Sequence, residues 1–267
     1  MTRVLLCNDD GIDAAGLALL ERCARRVFDE VIVVAPASEQ SGVGMGLTLH
    51  SPMRFHAHGE DRWSVTGTPA DCMIAAFCHL LGDRSVDLVL SGINRGANLG
   101  HDVYYSGTAA GAREGLMRGV PAIALSLAGH GRYPFEAYDG LVTHLLKWAA
   151  TRPASAHHML NINIPTAQVS TAEEHICFQG APAIRGLKVT RLGERSYDNA
   201  LVIREDPRGQ SYFWIGGSFP EMGDAPGTDC RAIADGYVSV TPIQLDTTAH
   251  TAIDDLSTHW QHWNEER

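Results

Sequence analysis

Two aspartates, Asp9 and Asp10, stand side by side at the end of the short apolar run Arg3 to Cys7, just ahead of Gly11. Adjacent carboxylates repel each other, and both stay ionised favourably only with a cation close by. Their hard oxygens suit Mg²⁺, Mn²⁺ or Ca²⁺, and no His or Cys stands with them to favour zinc. The competing duty is local: one aspartate caps the helix that follows and the other is solvated. Two more oxygen-bearing side chains, Ser41 and Asn94, follow the apolar runs EVIVVA and VDLVLS and move the reading toward a metal site. A second cluster, Tyr105-Ser106-Gly107-Thr108, leads straight into a helical pattern. Small residues let backbone N–H groups approach an anion, and a helix start favours negative charge there. Beside a divalent cation this makes a phosphate cradle, while Ser and Thr also serve as ordinary N-caps.

The elements that must hold these residues alternate along the first half. Arg3 to Cys7, Glu30 to Ala35, Trp63 to Thr66, Val86 to Ser91, Pro121 to Leu127 and Met159 to Ile164 read as strands. Ala15 to Phe28, Ala70 to Leu81, Thr108 to Arg118 and Ala137 to Ala150 carry helical spacing. Near-continuous apolar strands separated by helices predict an α/β, Rossmann-like, mostly parallel doubly wound sheet. Ligands collect beyond the carboxyl ends of such strands, so the strand-end clusters should face one crevice. The glycine-rich run Gly42-Val43-Gly44-Met45-Gly46 opens no helix and reads as a mobile loop near that crevice. After Pro165 strands dominate: LKVTRLG, then ALVIRED and SYFWIGG joined by an Asp206-Pro207-Arg208-Gly209 turn. This predicts a C-terminal β-hairpin arm, a return strand at Gly236 to Pro242, and a terminal helix over Asp254 to Arg267. We divide the chain into a Rossmann-like core, 1–180, and an arm, return strand and terminal helix, 181–267.

Composition narrows the function. The chain has 267 residues, 45% of them hydrophobic, and a formal net charge of −10. That length supports a core without disulfides or structural metal. An acidic surface repels phosphate backbones, which argues against a nucleic-acid polymer or an anionic membrane as partner. Six cysteines lie mostly in apolar runs with no C-x-x-C pair, as expected of reduced core thiols in a cytoplasmic protein. No apolar window approaches membrane-spanning length, and His157, His158, His250, His259 and His262 lack ligand spacing. A G-x-S-x-G elbow, a P-loop and a dinucleotide fingerprint after the first strand are absent. The alternative of another class is a receiver-like signalling or nucleotide-binding module without catalysis. Such a domain needs a phospho-accepting aspartate where Asn94 stands.

VLLCNDDGIDAAGL, VVAPASEQSGVG, VTGTPADC, LVLSGINRGANLGHDVYYSGTAAGAREG, LNINIP, DPRGQSYFWIGG and GTDCRAIADGYVSVTPIQLD together resemble the survival protein SurE family, from Arg3 to about Asp246. The resemblance implies a divalent-metal-dependent phosphatase of nucleoside monophosphates, acting at 5′ and 3′ positions, with short polyphosphate as a further substrate. It implies one Mg²⁺ or Mn²⁺ per subunit, and β-arms exchanged in a homodimer or homotetramer. By position, the family's metal ligands fall on Asp9, Asp10, Ser41 and Asn94, its further active-site asparagine on Asn98, and its phosphate-contacting turn on Ser106, Gly107 and Thr108. Met45-Gly46 departs from the family's histidine and small polar residue after G-V-G.

Overall fold

A computed structural model of the chain describes residues 1–129, 133–151, 156–166, 184–197, 201–215 and 221–265. Its strands are β1 (Arg3–Cys7), β2 (Glu30–Pro36), β3 (Phe55–Ala57), β4 (Arg62–Val65), β5 (Leu88–Arg95), β6 (Ala122–Ala128), β7 (Met159–Pro165), β8 (Leu187–Val189), β9 (Arg195–Ser196), β10 (Leu201–Glu205), β11 (Ser211–Ile215), β12 (Glu221–Met222) and β13 (Val238–Ile243). The helices are α1 (Ala15–Ala24), α2 (Pro69–Ala75), α3 (Gly107–Met117), α4 (Asp139–Thr151), α5 (Asp229–Ala234) and α6 (His250–Glu265).

Nine strands form one sheet in the order β3-β4-β2-β1-β5-β6-β7-β13-β8. The run from β4 to β7 is parallel. β3 and β13 lie antiparallel to their inner neighbours β4 and β7. Successive side chains of a strand face opposite ways. Thus Val4 and Leu6 of β1 pack with α1 and α4 on one face, while Leu5 and Cys7 pack with α2 and α3 on the other. Both faces are covered, as the continuous apolar strands require. The mostly parallel, doubly wound α/β class read from the sequence is the class observed.

Helix α3 approaches the sheet closely because Gly107, Gly111 and Gly115 recur every fourth residue. A Cβ on Gly111 would come 2.7 Å from Ser91 Oγ, and one on Gly115 would come 2.6 Å from Val89 Cγ2. Only hydrogen at those positions allows the approach.

Several elements differ from the sequence reading. β5 does not stop at Ser91 but runs on to Arg95, with an irregular register against β6 between Ser91 and Asn94. Gly92 sits at φ 137°, where a Cβ would come 2.3 Å from the Leu125 carbonyl oxygen. Asn94 is therefore on a strand, opposite Ser126. The helix expected over Ala70 to Leu81 gives way after Ala75 to a wider turn, Ala76–Leu80. Helix α1 ends at Ala24, and residues to Phe28 form turns. Strands β3, β9 and β12 and helix α5 went unread, being short; α5 is started by the Thr228 hydroxyl accepting from Arg231 N–H.

The hairpin turn holds: β10 and β11 pair antiparallel, and Asp206 and Gln210 close the loop at 2.9 Å. The boundary at 180/181 lies outside the described residues. From the segment beyond it, β13 and β8 complete the main sheet beside β7. Among the described residues no helix is long and apolar enough to cross a membrane.

Candidate active site

The chain turns back about β1, with β2 on one side and β5 on the other, and ligands gather at such a switch point. The strand-end clusters meet there through a chain of hydrogen bonds. Gln40 N–H donates to the Asp9 carbonyl at 2.8 Å, drawing the loop after β2 onto the aspartates. Arg95 N–H, at the end of β5, donates to Asp10 Oδ2 at 3.0 Å. From the start of α3, the Thr108 hydroxyl donates to Asp9 Oδ1 at 2.5 Å. Gly107 makes this approach feasible, since a Cβ there would come 2.7 Å from Asp9 Cβ.

Asp9 is buried, and burial is the main reason its pKa rises to about 6. The Thr108 hydrogen bond opposes that rise, and the neighbouring Asp10 charge adds to it. Burial also raises Asp10, against the backbone N–H and charge of Arg95. Neither aspartate caps α1: the N-cap is Ala14, with no side-chain cap. In the loop after β2 the Ser41 hydroxyl donates to Glu39 at 2.8 Å, and Glu39 pairs with the Arg95 guanidinium at 3.1 Å. Asn94 gives its amide nitrogen to the Gly96 carbonyl at 3.0 Å, which leaves the amide oxygen as the end that could meet a cation.

The donor set suits a divalent cation. Two carboxylates, a hydroxyl and a carboxamide oxygen are hard donors of the kind Mg²⁺ and Mn²⁺ take. Among the described residues no group of three or more His, Cys, Asp or Glu could hold a metal, so neutral oxygens must complete any site here. A buried carboxylate pushed up to about 6 beside a second carboxylate is a place short of positive charge.

The cradle residues divide their work. Ser106 is the N-cap of α3, its oxygen accepting from Ala109 N–H at 2.9 Å. Thr108 is fully buried and commits its hydroxyl proton to Asp9. The groups that could face an anion are then the first N–H groups of the helix, which have no partner within it, with the Ser106 hydroxyl. The loop read as mobile is pinned at several points. Gly44 N–H donates to the Tyr105 carbonyl at 2.9 Å, the Thr68 hydroxyl to the Gly46 carbonyl at 2.7 Å, and the Thr48 hydroxyl to Asp71 at 2.7 Å. Met45 sits on that loop, partly exposed.

Asn98 is buried beside Asn94, through Ser126 of β6, which is Asn94's register partner and accepts from Asn98 Nδ2 at 2.7 Å. Sequence reasoning missed Ser126 and the β7 asparagines that also hold Asn98. The signal for the last was two asparagines alternating within the apolar LNINIP. Of the tail histidines, His250 is exposed and pairs with Asp246; the side chain of His262 lies outside the described residues. Cys7, Cys23, Cys72, Cys78 and Cys230 are free thiols, Cys78 being exposed; Cys177 lies outside the described residues.

Fold and site define a Rossmann-like α/β protein with two adjacent aspartates at its switch point, one of them bonded to the first turn of a helix. Residues 4–199 match the family described as Survival protein SurE, and the chain belongs to that family. The 5′-nucleotidase SurE of Gemmatimonas aurantiaca is 45% identical, covering 98% of this chain and 99% of that protein. The 5′-nucleotidase SurE of Rhodospirillum rubrum is 43% identical, covering 96% and 95%. The crystal structure of the SurE protein from Aquifex aeolicus superposes with a TM-score of 0.79 at 34% identity, covering 96% of this chain and 98% of that one.

Proposed function

We infer that this chain is a phosphomonoesterase that hydrolyses nucleoside monophosphates to nucleoside and phosphate, a 5′-nucleotidase like its relatives. The observation that carries the reading is Asp9, a buried carboxylate set against the start of α3 and beside Asp10, so that a cation site and an anion site share one wall. Asp9, Asp10, Ser41 and Asn94 would hold one divalent cation, Mg²⁺ or Mn²⁺. When bound, that ion supplies charge neutralisation on the phosphoryl group and a more acidic water.

The protein's own part is binding and orientation. The N–H groups of Gly107 and Thr108, with the Ser106 hydroxyl, hold phosphoryl oxygens at the positive end of α3. Thr108 keeps Asp9 ionised and fixed in direction. Asn98 offers its amide to the phosphoryl group from the β6 side. Asp10, less deeply buried, is the candidate base or nucleophile, and a phosphoenzyme trapped by rapid quenching would distinguish direct attack from hydrolysis by water. Release of inorganic phosphate from 5′- and 3′-nucleoside monophosphates, with Mn²⁺ and after chelation, tests the whole reading. Release that survives complete chelation, or none with any nucleotide and any divalent cation, overturns it.

We also propose a homodimer or homotetramer assembled through exchanged arms from the 181–267 segment. Support comes from the β10–β11 hairpin, which exposes Leu201, Ile203, Phe213 and Trp214, more apolar area than a hairpin keeps in water without a partner. Free thiols support work in a reducing compartment such as the cytoplasm. A non-catalytic receiver-like reading is not favoured: Asn94 occupies the position its phospho-acceptor would need.

A further inference from the structure

Asparagine is a poor strand residue, and its amide is costly to bury without partners. β7 nevertheless carries two, Asn161 and Asn163, both fully buried in the interior of the nine-stranded sheet. Their spacing of two puts them on one face, and there both reach Asn98. Asn163 works with both ends of its amide: Oδ1 accepts from Asn98 N–H at 2.8 Å, and Nδ2 donates to the Asn98 carbonyl at 3.0 Å. Asn161 Nδ2 donates to the same carbonyl at 2.8 Å. One side chain thus pairs with a loop residue as a neighbouring strand would. The Asn98 side chain is tied separately, its Nδ2 donating to Ser126 Oγ at 2.7 Å. Ser126 is buried on β6 and is the register partner of Asn94 on one side and Asn163 on the other.

We propose that Ser126, Asn161 and Asn163 are positioning residues for the phosphoryl-transfer step, acting by holding Asn98 in one orientation. The inference rests on the reading of Asn98 as a phosphate-contacting residue. Holding a loop in place needs the backbone contacts alone; the bond to Ser126 adds nothing to backbone pairing and fixes only the direction of the Asn98 amide. The arrangement also has a cost, since Asn161 Oδ1 is buried with no partner among the described residues. A core built for stability would carry Val or Ile at these positions. A dipole fixed in advance toward developing phosphoryl charge is the gain that offsets it.

The test is a double-mutant cycle on the full chain, with Mn²⁺ and 4-nitrophenyl phosphate, a substrate without a base to recognise. Ser126→Ala should lower kcat on the order of tenfold, about 1.4 kcal/mol of barrier, with KM changed less than about twofold. Its melting temperature should stay near that of the unmutated chain. In an Asn98→Ala background the same substitution should change nothing, because its only route to the reaction is gone. Asn163→Ala should lower kcat further by freeing the Asn98 backbone; if it fails to fold, the Ser126 cycle still decides. Equal losses for Ser126→Ala in both backgrounds, or an unchanged kcat for Ser126→Ala alone, overturn the positioning role and leave Asn98 in the site. An unchanged kcat for Asn98→Ala overturns the assignment of Asn98 itself, and the inference falls with it.

Discussion

Thr108 and Asp9 lie 99 residues apart in sequence, yet the hydroxyl of one donates to the carboxylate of the other across 2.5 Å. The bond joins the helix that faces the anion to the strand end that faces the cation. It also opposes the burial that pushes Asp9 toward its protonated form.

Replacing Thr108 by the isosteric Val should therefore weaken cation binding before it touches anything else. Loss of a hydrogen bond to a charged group costs roughly 1.5–3 kcal/mol, on the order of ten- to a hundredfold in affinity. Calorimetric titration with Mn²⁺ near neutral pH reads this directly, and unchanged affinity would remove Thr108 from the site.

Asp9→Asn should abolish most phosphate release while making the cation-free protein more stable. A buried ionised carboxylate is replaced by a neutral amide of the same shape. Chemical denaturation with chelator present should show the gain, and a less stable variant would mean that Asp9 is well solvated or already compensated.

The pH dependence follows from the same group. Asp9 rises from 3.8 to about 6 in the fold, so between those values the native state holds a proton that the unfolded chain has released. Stability of the cation-free protein then falls as pH rises through that window, by about 3 kcal/mol for a shift of this size. A bound cation reverses the penalty. The rise in melting temperature on adding Mn²⁺ should be larger at pH 7 than at pH 5, and equal rises would contradict the account of Asp9.

Gly111→Ala tests the seating of α3. Its Cβ would come 2.7 Å from Ser91 Oγ on β5, deep in the sheet. Overpacking of this kind costs roughly 1–3 kcal/mol, and the helix start that faces the anion should move with it. A lower melting temperature together with a raised KM is expected, whereas a neutral effect would mean that the helix shifts freely.

The α/β layering was legible because the central strands are nearly continuous runs of Val, Ile and Leu, and strand-end polar residues then point to one crevice. Asp9, Asp10, Ser41 and Asn94 could be named from residue type and position alone. What positions Asn94 could not. The strand read as ending at Ser91 is carried on to Asn94 by Gly92, whose positive φ and close approach to Leu125 depend on a neighbour far along the chain. Thr108 and Ser106 looked alike as hydroxyl donors, and only the fold separates the N-cap from the hydroxyl that meets Asp9. Asn161 and Asn163 were visible as an oddity in an apolar strand, but their partner Asn98 sits on another segment. Short elements such as β9 and β12 carry too few residues for any periodicity to emerge.

The central claim is that oxygens of Asp9, Asp10, Ser41 and Asn94 share one divalent cation. Anomalous scattering from a crystal grown with Mn²⁺ tests it most directly. The expected result is a single strong peak at the carboxyl ends of β1 and β5, with oxygens of all four side chains roughly 2.0–2.6 Å away. A peak elsewhere, or one at this crevice that touches neither aspartate, would contradict the claim.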